Sequence, residues 1–418
     1  MSSSQQAAFR RFVVGLTATV LICVALVALF NWWVNPYRLF QSSPPSALTD
    51  IKVRPKSNIA TIKLLNAIDQ RPEVVIFGNS RADVGLDPMH PALVRLGQPV
   101  YNLAVPGQGI LGVLANFRTM LRETDVQTAI IGVDFIDFVV DAQPVAALAK
   151  GDSIETTRLG LLERFRALLT ITGLQDSVRT LLSARETLPA TLRNDGFNPM
   201  LDYQDMAARS GYRAMFTQRF QETEKRLVQA RLGLTPKDAA DSAEMSALRE
   251  IFQLAAEHDV RLIVFTYPYH ADYLMLYRKL GLQDPLEAWK RSLVLAAADT
   301  ARAHPSAQLT IVWDFATFSR YAQLPVPDTA KDEAARWYWE AGHFKKELGD
   351  VMLSMMLAPP GSKANDESFG SPLQPDTVDT WLAHQRDLAD RHTATVEASE
   401  ASRYLCCRSG NRTATAHP

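Results

Sequence analysis

The chain has 418 residues, 47% of them hydrophobic and 21% charged, enough apolar material for one large domain or two small ones and too much for a disordered polymer. Its 44 basic and 45 acidic side chains leave a formal net charge of −1, so no general basic surface points to nucleic acid. Three cysteines, Cys23 in an apolar run and Cys406 beside Cys407 near the end, supply neither a disulfide framework nor the ligand spacing of a metal site, and no cofactor is called for.

Taken in chain order, residues 1–11 form a short tail ending in Arg10 and Arg11, and the 19 residues from Phe12 to Phe30 then pass without a charge. That length lets a helix cross most of a bilayer's hydrocarbon core, and Asn31-Trp32-Trp33 follows with aromatic residues of the interfacial kind. Residues 12–34 are therefore expected to be a transmembrane anchor. No A-x-A site follows the run closely, so the anchor is expected to stay uncleaved. Arg10 and Arg11 favour keeping the tail in the cytoplasm and exporting the rest, although Arg38, Lys52, Arg54 and Lys56 reduce the charge asymmetry. The expected location is the cytoplasmic membrane, single-pass, with the C-terminal domain on the periplasmic side.

Residues 35–71 read mainly as a linker, with a short helix around Ile59 to Ile68. An α/β domain is expected over residues 72–357. Its strands are Val74 to Phe77, Val100 to Leu103, Ala129 to Val133, Arg261 to Thr266 and Leu309 to Trp313, with helices such as Ile110 to Arg122 and Pro285 to Arg302 between them. Five strands alternating with helices predict a parallel sheet covered on both faces, a three-layer α/β/α sandwich. A helical insertion over residues 142–234 leaves the third strand and could overhang the site as a lid or polymer-binding wall, or be inert bulk. The Gly196 to Met200 turn that joins its halves carries no evident chemistry. Residues 358–418 read as a polar tail with one exposed helix, Trp381 to Ala394, and disorder from Ser399 to Pro418.

Ser80 is the most informative residue. The run Val74-Val75-Ile76-Phe77 leads straight into Gly78-Asn79-Ser80, so the serine stands at the carboxyl end of a buried strand, where open α/β sheets bind ligands. Near the far end of the domain, Trp337 to Phe344 places Glu340 three residues before His343. A serine hydroxyl needs a base to take its proton, and an imidazole works best when a carboxylate fixes its tautomer, so Ser80, His343 and Glu340 would supply all three roles. The alternative is that Ser80 is only a turn former or helix cap and His343 a surface or packing residue. Arg81 could hold a substrate anion or be solvated. His270, after the fourth strand, is the rival base, and Asp314, at the end of the fifth, the rival orienter. Asp134 and Asp137 sit three apart, yet sequence spacing does not establish the gap a glycosidase needs.

With these residues the chain resembles the SGNH, or GDSL-like, hydrolase superfamily, in particular its membrane-anchored exported branch associated with acylation of envelope polymers. Gly78-Asn79-Ser80 stands for that family's G-D-S block and Glu340-Ala341-Gly342-His343 for its D-x-x-H block. The resemblance implies a flavodoxin-like sandwich, an oxyanion glycine at Gly107 with Gly109 second, and substrate contacts at Asn79 and Arg81. Gly132-Val133-Asp134-Phe135 is a weak counterpart of the third block, G-x-N-D, because an ionised Asp134 cannot stabilise an oxyanion.

The function so implied is ester hydrolysis or O-acyl transfer, through an acyl-Ser80 intermediate, on an envelope polysaccharide or acylated carbohydrate, with a membrane acyl-donor protein as a further partner. The competing expectation is an inactive SGNH-like binding or scaffold partner of an envelope acylation system. Because catalytic side chains are usually accessible, substitutions at all three positions are expected to leave stability nearly unchanged.

Overall fold

The computed structural model describes residues 3–40, 52–55, 57–139, 156–183, 185–186, 188–229, 242–308, 310–359 and 369–410. The chain divides into two compact units, Met1–Ala129 with Gln143–Ser210, and Ile130–Ala142 with Gly211–Pro418.

The first unit begins with one continuous helix, Ser3–Val34. Its segment Ser4–Val34, 31 residues, is long and apolar enough to cross a membrane, consistent with a single-pass anchor. Phe12, Leu21 and Leu26 on it are more than 60% exposed, as lipid-facing side chains would be. Residues 35–40 and the helix Ile59–Gln70 lie in the region read as a linker, and Tyr37, Leu39, Ile62, Leu65 and Ala167 form a small core there. Strand β1, Val74–Phe77, is buried along its whole length, and β2, Val100–Asn102, pairs with it in parallel. Such continuous apolar runs belong to strands covered on both faces. The helix Ile110–Glu123 packs on this pair, Phe117 meeting Phe77 edge to face at 5.7 Å.

The chain passes from the first unit to the second along β3, Thr128–Val133. In the second unit β4, Arg261–Thr266, and β5, Ile311–Asp314, pair in parallel. The helices Ala243–Glu257 and Gln283–Ala303 flank them, and Phe135 meets Tyr277 edge to face and Trp289 at a tilt in the core. A separate hairpin is formed by β6, Tyr338–Glu340, and β7, His343–Phe344, followed by the helix Lys346–Met356. Finally β8, Ser371–Leu373, pairs antiparallel with β5, and the helix Val378–Gly410 follows.

The larger sheet therefore has six strands in the order β2-β1-β3-β4-β5-β8. The architecture is mixed α/β with a mostly parallel sheet, but two expectations are corrected. The sheet has one strand more than the five expected, and that strand runs antiparallel. The segment after Leu357 is not merely a polar tail, because Phe369 is fully buried against Phe315 and Tyr321 and the last helix packs through Val378 and Leu382. A three-residue strand with Pro372 at its centre gives no period-2 signal, and proline is tolerated there because the strand is at an edge. Helix extends through Ser399 to Gly410, where disorder was expected, while residues 411–418 lie outside the described residues.

Candidate active site

Three local features set the backbone around Ser80. Gly78, just after β1, adopts φ +148°, a conformation that favours glycine. Asn79 then caps the short helix Ser80–Gly85, its Oδ1 accepting the Arg81 amide at 3.0 Å. Asn79 thus supplies the capping oxygen that an aspartate would supply at this position. Ser80 is the first residue of that helix and is half-buried. Arg81 is 8% exposed, so the solvated reading of this residue does not hold.

The helix is fixed from beneath by groups to which sequence reading gave no role. Lys63 and Asp83 form an ion pair at 2.7 Å with both side chains fully buried, and the Lys63 ammonium also donates to the Ala104 carbonyl. Burial pushes the Lys63 pKa down against the pull of Asp83. Asn198 donates to the Asp83 carboxylate at 3.0 Å through its side chain and to the Asp83 carbonyl at 3.1 Å through its backbone. Asn102 Nδ2 donates to the carbonyls of Ala82 and Leu86 at 2.8 and 2.9 Å. The Gly196 to Met200 turn, given no chemistry from the sequence, therefore clamps the helix that carries Ser80. Gly196 has to be glycine there, since a Cβ would overlap the Asn102 carbonyl.

Gly107 lies in an exposed turn closed by the Gln108 amide on the Val105 carbonyl at 3.1 Å, with φ +74°. That turn hangs from the end of β1 through the Val105 amide, which donates to the Gly78 carbonyl at 3.0 Å. Gly109 caps the next helix.

In the second unit the E-x-x-H spacing is a hairpin. Glu340 and His343 are directly opposite residues of β6 and β7, with Ala341 and Gly342 as the turn, so their side chains share one face. Glu340 Oε1 accepts from His343 Nδ1, and Oε2 accepts the Gly342 amide at 2.6 Å. Arg219, on the helix Tyr212–Gln229, forms an ion pair with Glu340 at 2.9 Å, although its Nε–H is not aligned for a hydrogen bond. Burial alone would raise the Glu340 carboxyl, but the charge and hydrogen bond of His343, the Arg219 charge and the Gly342 amide outweigh it and hold the pKa near about 2. Glu340 is thus an ionised, immobilised carboxylate on the imidazole, and the hydrogen bond selects the tautomer that leaves Nε2 as the basic nitrogen.

Two residues on, Lys345 Nζ donates to the Tyr212 hydroxyl at 2.8 Å and sits 4.1 Å from the centre of the Trp339 ring. Burial brings its pKa down to about 8. Arg219 and Lys345 escaped the sequence reading because a single cation on a polar segment carries no spacing signal.

The rivals have other occupations. His270 caps the helix Ala271–Lys279, Nδ1 accepting the Asp272 amide at 3.4 Å while Nε2 donates to the Leu324 carbonyl at 2.6 Å. Burial lowers its pKa, in keeping with a neutral capping ring. Asp314 is fully buried and accepts from Lys290 at 2.7 Å, Thr266 at 2.7 Å and the Trp381 indole at 2.8 Å. Asp134 caps the short 3₁₀ turn Phe135–Phe138 and accepts from the Tyr269 hydroxyl. Gly132 is glycine because the Tyr267 phenol ring lies where its Cβ would be.

Ser80, Asn79, Arg81 and Gly107 thus belong to the first unit, and Glu340 and His343, hydrogen-bonded to each other, to the second. No known protein family and no curated protein matches this chain.

Proposed function

We propose that the chain is a membrane-anchored serine esterase or O-acyltransferase acting on acyl esters of an envelope polysaccharide. The observation that carries this reading is the Glu340–His343 pair, in which a buried, ionised carboxylate fixes the tautomer of a ring that is itself only partly buried. A carboxylate held on Nδ1 is the arrangement by which a general-base imidazole is oriented. Ser80, on a capped and clamped helix at the end of β1, is the complementary nucleophile.

In this mechanism His343 Nε2 takes the proton of Ser80 Oγ as the oxygen attacks the ester carbonyl carbon. The negative charge passes to the carbonyl oxygen, which the resemblance assigns to the amides of Ser80 and Gly107. Collapse of the intermediate breaks the bond to the sugar oxygen, which leaves with the proton from His343. The acyl-Ser80 ester is then attacked by water, giving hydrolysis, or by a second hydroxyl, giving transfer, with His343 again as base. Arg10 and Arg11 before the span support export of this domain across the cytoplasmic membrane.

One observation favours a second reading, a non-catalytic polymer-binding partner: Asp134 stands in the third block, tied to Tyr269, where the family has an uncharged donor. The purified full-length protein should label with a fluorophosphonate probe at Ser80 and turn over activated acyl esters. Ser80→Ala and His343→Ala should each remove most of that turnover, and the double variant should be little worse than either. Wild-type protein that neither labels nor turns over, together with full complementation of a deletion strain by Ser80→Ala, would establish the binding partner instead.

A further inference from the structure

The helices Thr156–Leu169 and Ile171–Ser183 of the first unit both turn large apolar side chains outward, and the second has its polarity reversed. On the second helix Asp176, Ser177, Thr180 and Ser183 are buried, while Ile171, Val178 and Leu182 are 76%, 43% and 54% exposed. On the first, Leu161, Phe165 and Leu169 follow one another at four-residue spacing and are 56%, 60% and 51% exposed. A helix on a water-facing surface shows the opposite arrangement, with its apolar stripe inward. The inward polar groups are satisfied: the Tyr37 hydroxyl donates to Asp176 at 2.8 Å, Arg179 donates to the same carboxylate at 2.7 Å, and Thr180 donates to the Asp176 carbonyl at 2.8 Å. The reversal is therefore built into the fold.

What covers the outward face is indicated by where the two helices attach. Both pack on the apolar N-terminal helix Ser3–Val34. They are bonded to it at its last turns, where Asn31 Nδ2 donates to the Leu168 carbonyl at 2.7 Å and Ser177 Oγ donates to Asn31 Oδ1 at 2.8 Å. Asn31 begins the Asn-Trp-Trp step where the apolar run ends, and Trp33 beside it is 38% exposed. The helices that carry the exposed stripe are thus fastened to the exit end of the membrane span, at the level where headgroups meet acyl chains.

We propose that these two helices are an interfacial membrane element that seats its apolar stripe in the leaflet through which the N-terminal helix leaves the bilayer. The first unit is then held against the membrane surface by a second attachment, rather than hanging from a single helix. This rests on the reading of Ser3–Val34 as a membrane span, and the test separates the two claims.

Full-length protein with Cys23, Cys406 and Cys407 replaced by serine is reconstituted into phosphatidylcholine–phosphatidylglycerol nanodiscs, one copy per disc. An environment-sensitive fluorophore is placed in turn at Phe165→Cys, Val178→Cys and Leu182→Cys. Leu21→Cys marks the span, and Asp125→Cys, whose native side chain is 87% exposed, marks water. Nitroxide lipids labelled high on the acyl chain should quench the probes at residues 165, 178 and 182, and these should be several-fold less accessible to iodide than residue 125. Lipid quenching at residue 21 but none at the three helix positions would overturn the interfacial element alone. Absence of quenching at residue 21 as well would overturn both it and the span. Iodide shielding without lipid quenching would mean that protein covers the stripe, and would also refute the proposal.

Discussion

Glu340→Gln tests the charge of the candidate orienting residue separately from its shape. In the folded chain this carboxyl is brought from 4.5 down to about 2 by His343, Arg219 and the Gly342 amide, which together outweigh burial. At about 1.4 kcal/mol per unit, that shift corresponds to about 3 kcal/mol of preference for the ionised form in the native state. The glutamine carbonyl can still accept the Gly342 amide, so the expected net loss at neutral pH is about 2 kcal/mol. Because the folded value is depressed, the contribution is fully present above pH 4.5 and is lost as the pH falls from there through about 2. Urea unfolding, followed through the tryptophan emission to which Trp337 and Trp339 contribute, should therefore show a wild-type-minus-variant difference that shrinks as the pH falls from about 5 towards 2. A difference below about 0.5 kcal/mol at neutral pH, or one independent of pH, would refute the argument that the buried carboxylate is held ionised by its partners. The same substitution revises the expectation that changes at the site leave stability untouched: Glu340 is 3% exposed and Gly342, His343 and Arg219 all depend on it.

Two further outcomes follow from the packing around the candidate residues. Lys63→Met should destabilise the first unit by about 3–5 kcal/mol by leaving Asp83 buried with an uncompensated charge, and Asp83→Asn in the same background should recover part of that loss, both read from unfolding midpoints; equal stability of Lys63→Met and wild type would show that the pair does not hold the Ser80 helix. Gly132→Ala should cost about 1–3 kcal/mol because the added methyl meets the Tyr267 ring, and Tyr267→Leu should offset much of that cost in a double-mutant cycle; additive effects would rule out the overlap as its cause.

The sequence by itself determined what depends on neighbours along the chain. The uncharged run from Phe12 to Phe30 specified a long apolar helix, and the apolar runs Val74–Phe77 and Leu262 to Phe265 specified strands buried on both faces, because burial of both faces removes polar positions from the middle of the pattern. The Gly78-Asn79-Ser80 turn and cap were legible for the same reason, being made by consecutive residues, and so was the Glu340–His343 spacing, although not the hairpin that sets the two side chains opposite each other. Tertiary structure alone decided the remainder. The strand Ser371–Leu373 is too short to show a period and is defined by its pairing with β5. The Lys63–Asp83 pair and its support from Asn198 join residues 20 and 115 positions apart, and Arg219 reaches Glu340 from a helix whose sequence sets apolar residues at helical spacing among many Arg, Glu and Gln, none marked out from the others. Such partners are chosen by the cost of leaving a buried charge uncompensated, and that cost exists only once the chain has folded and removed the water.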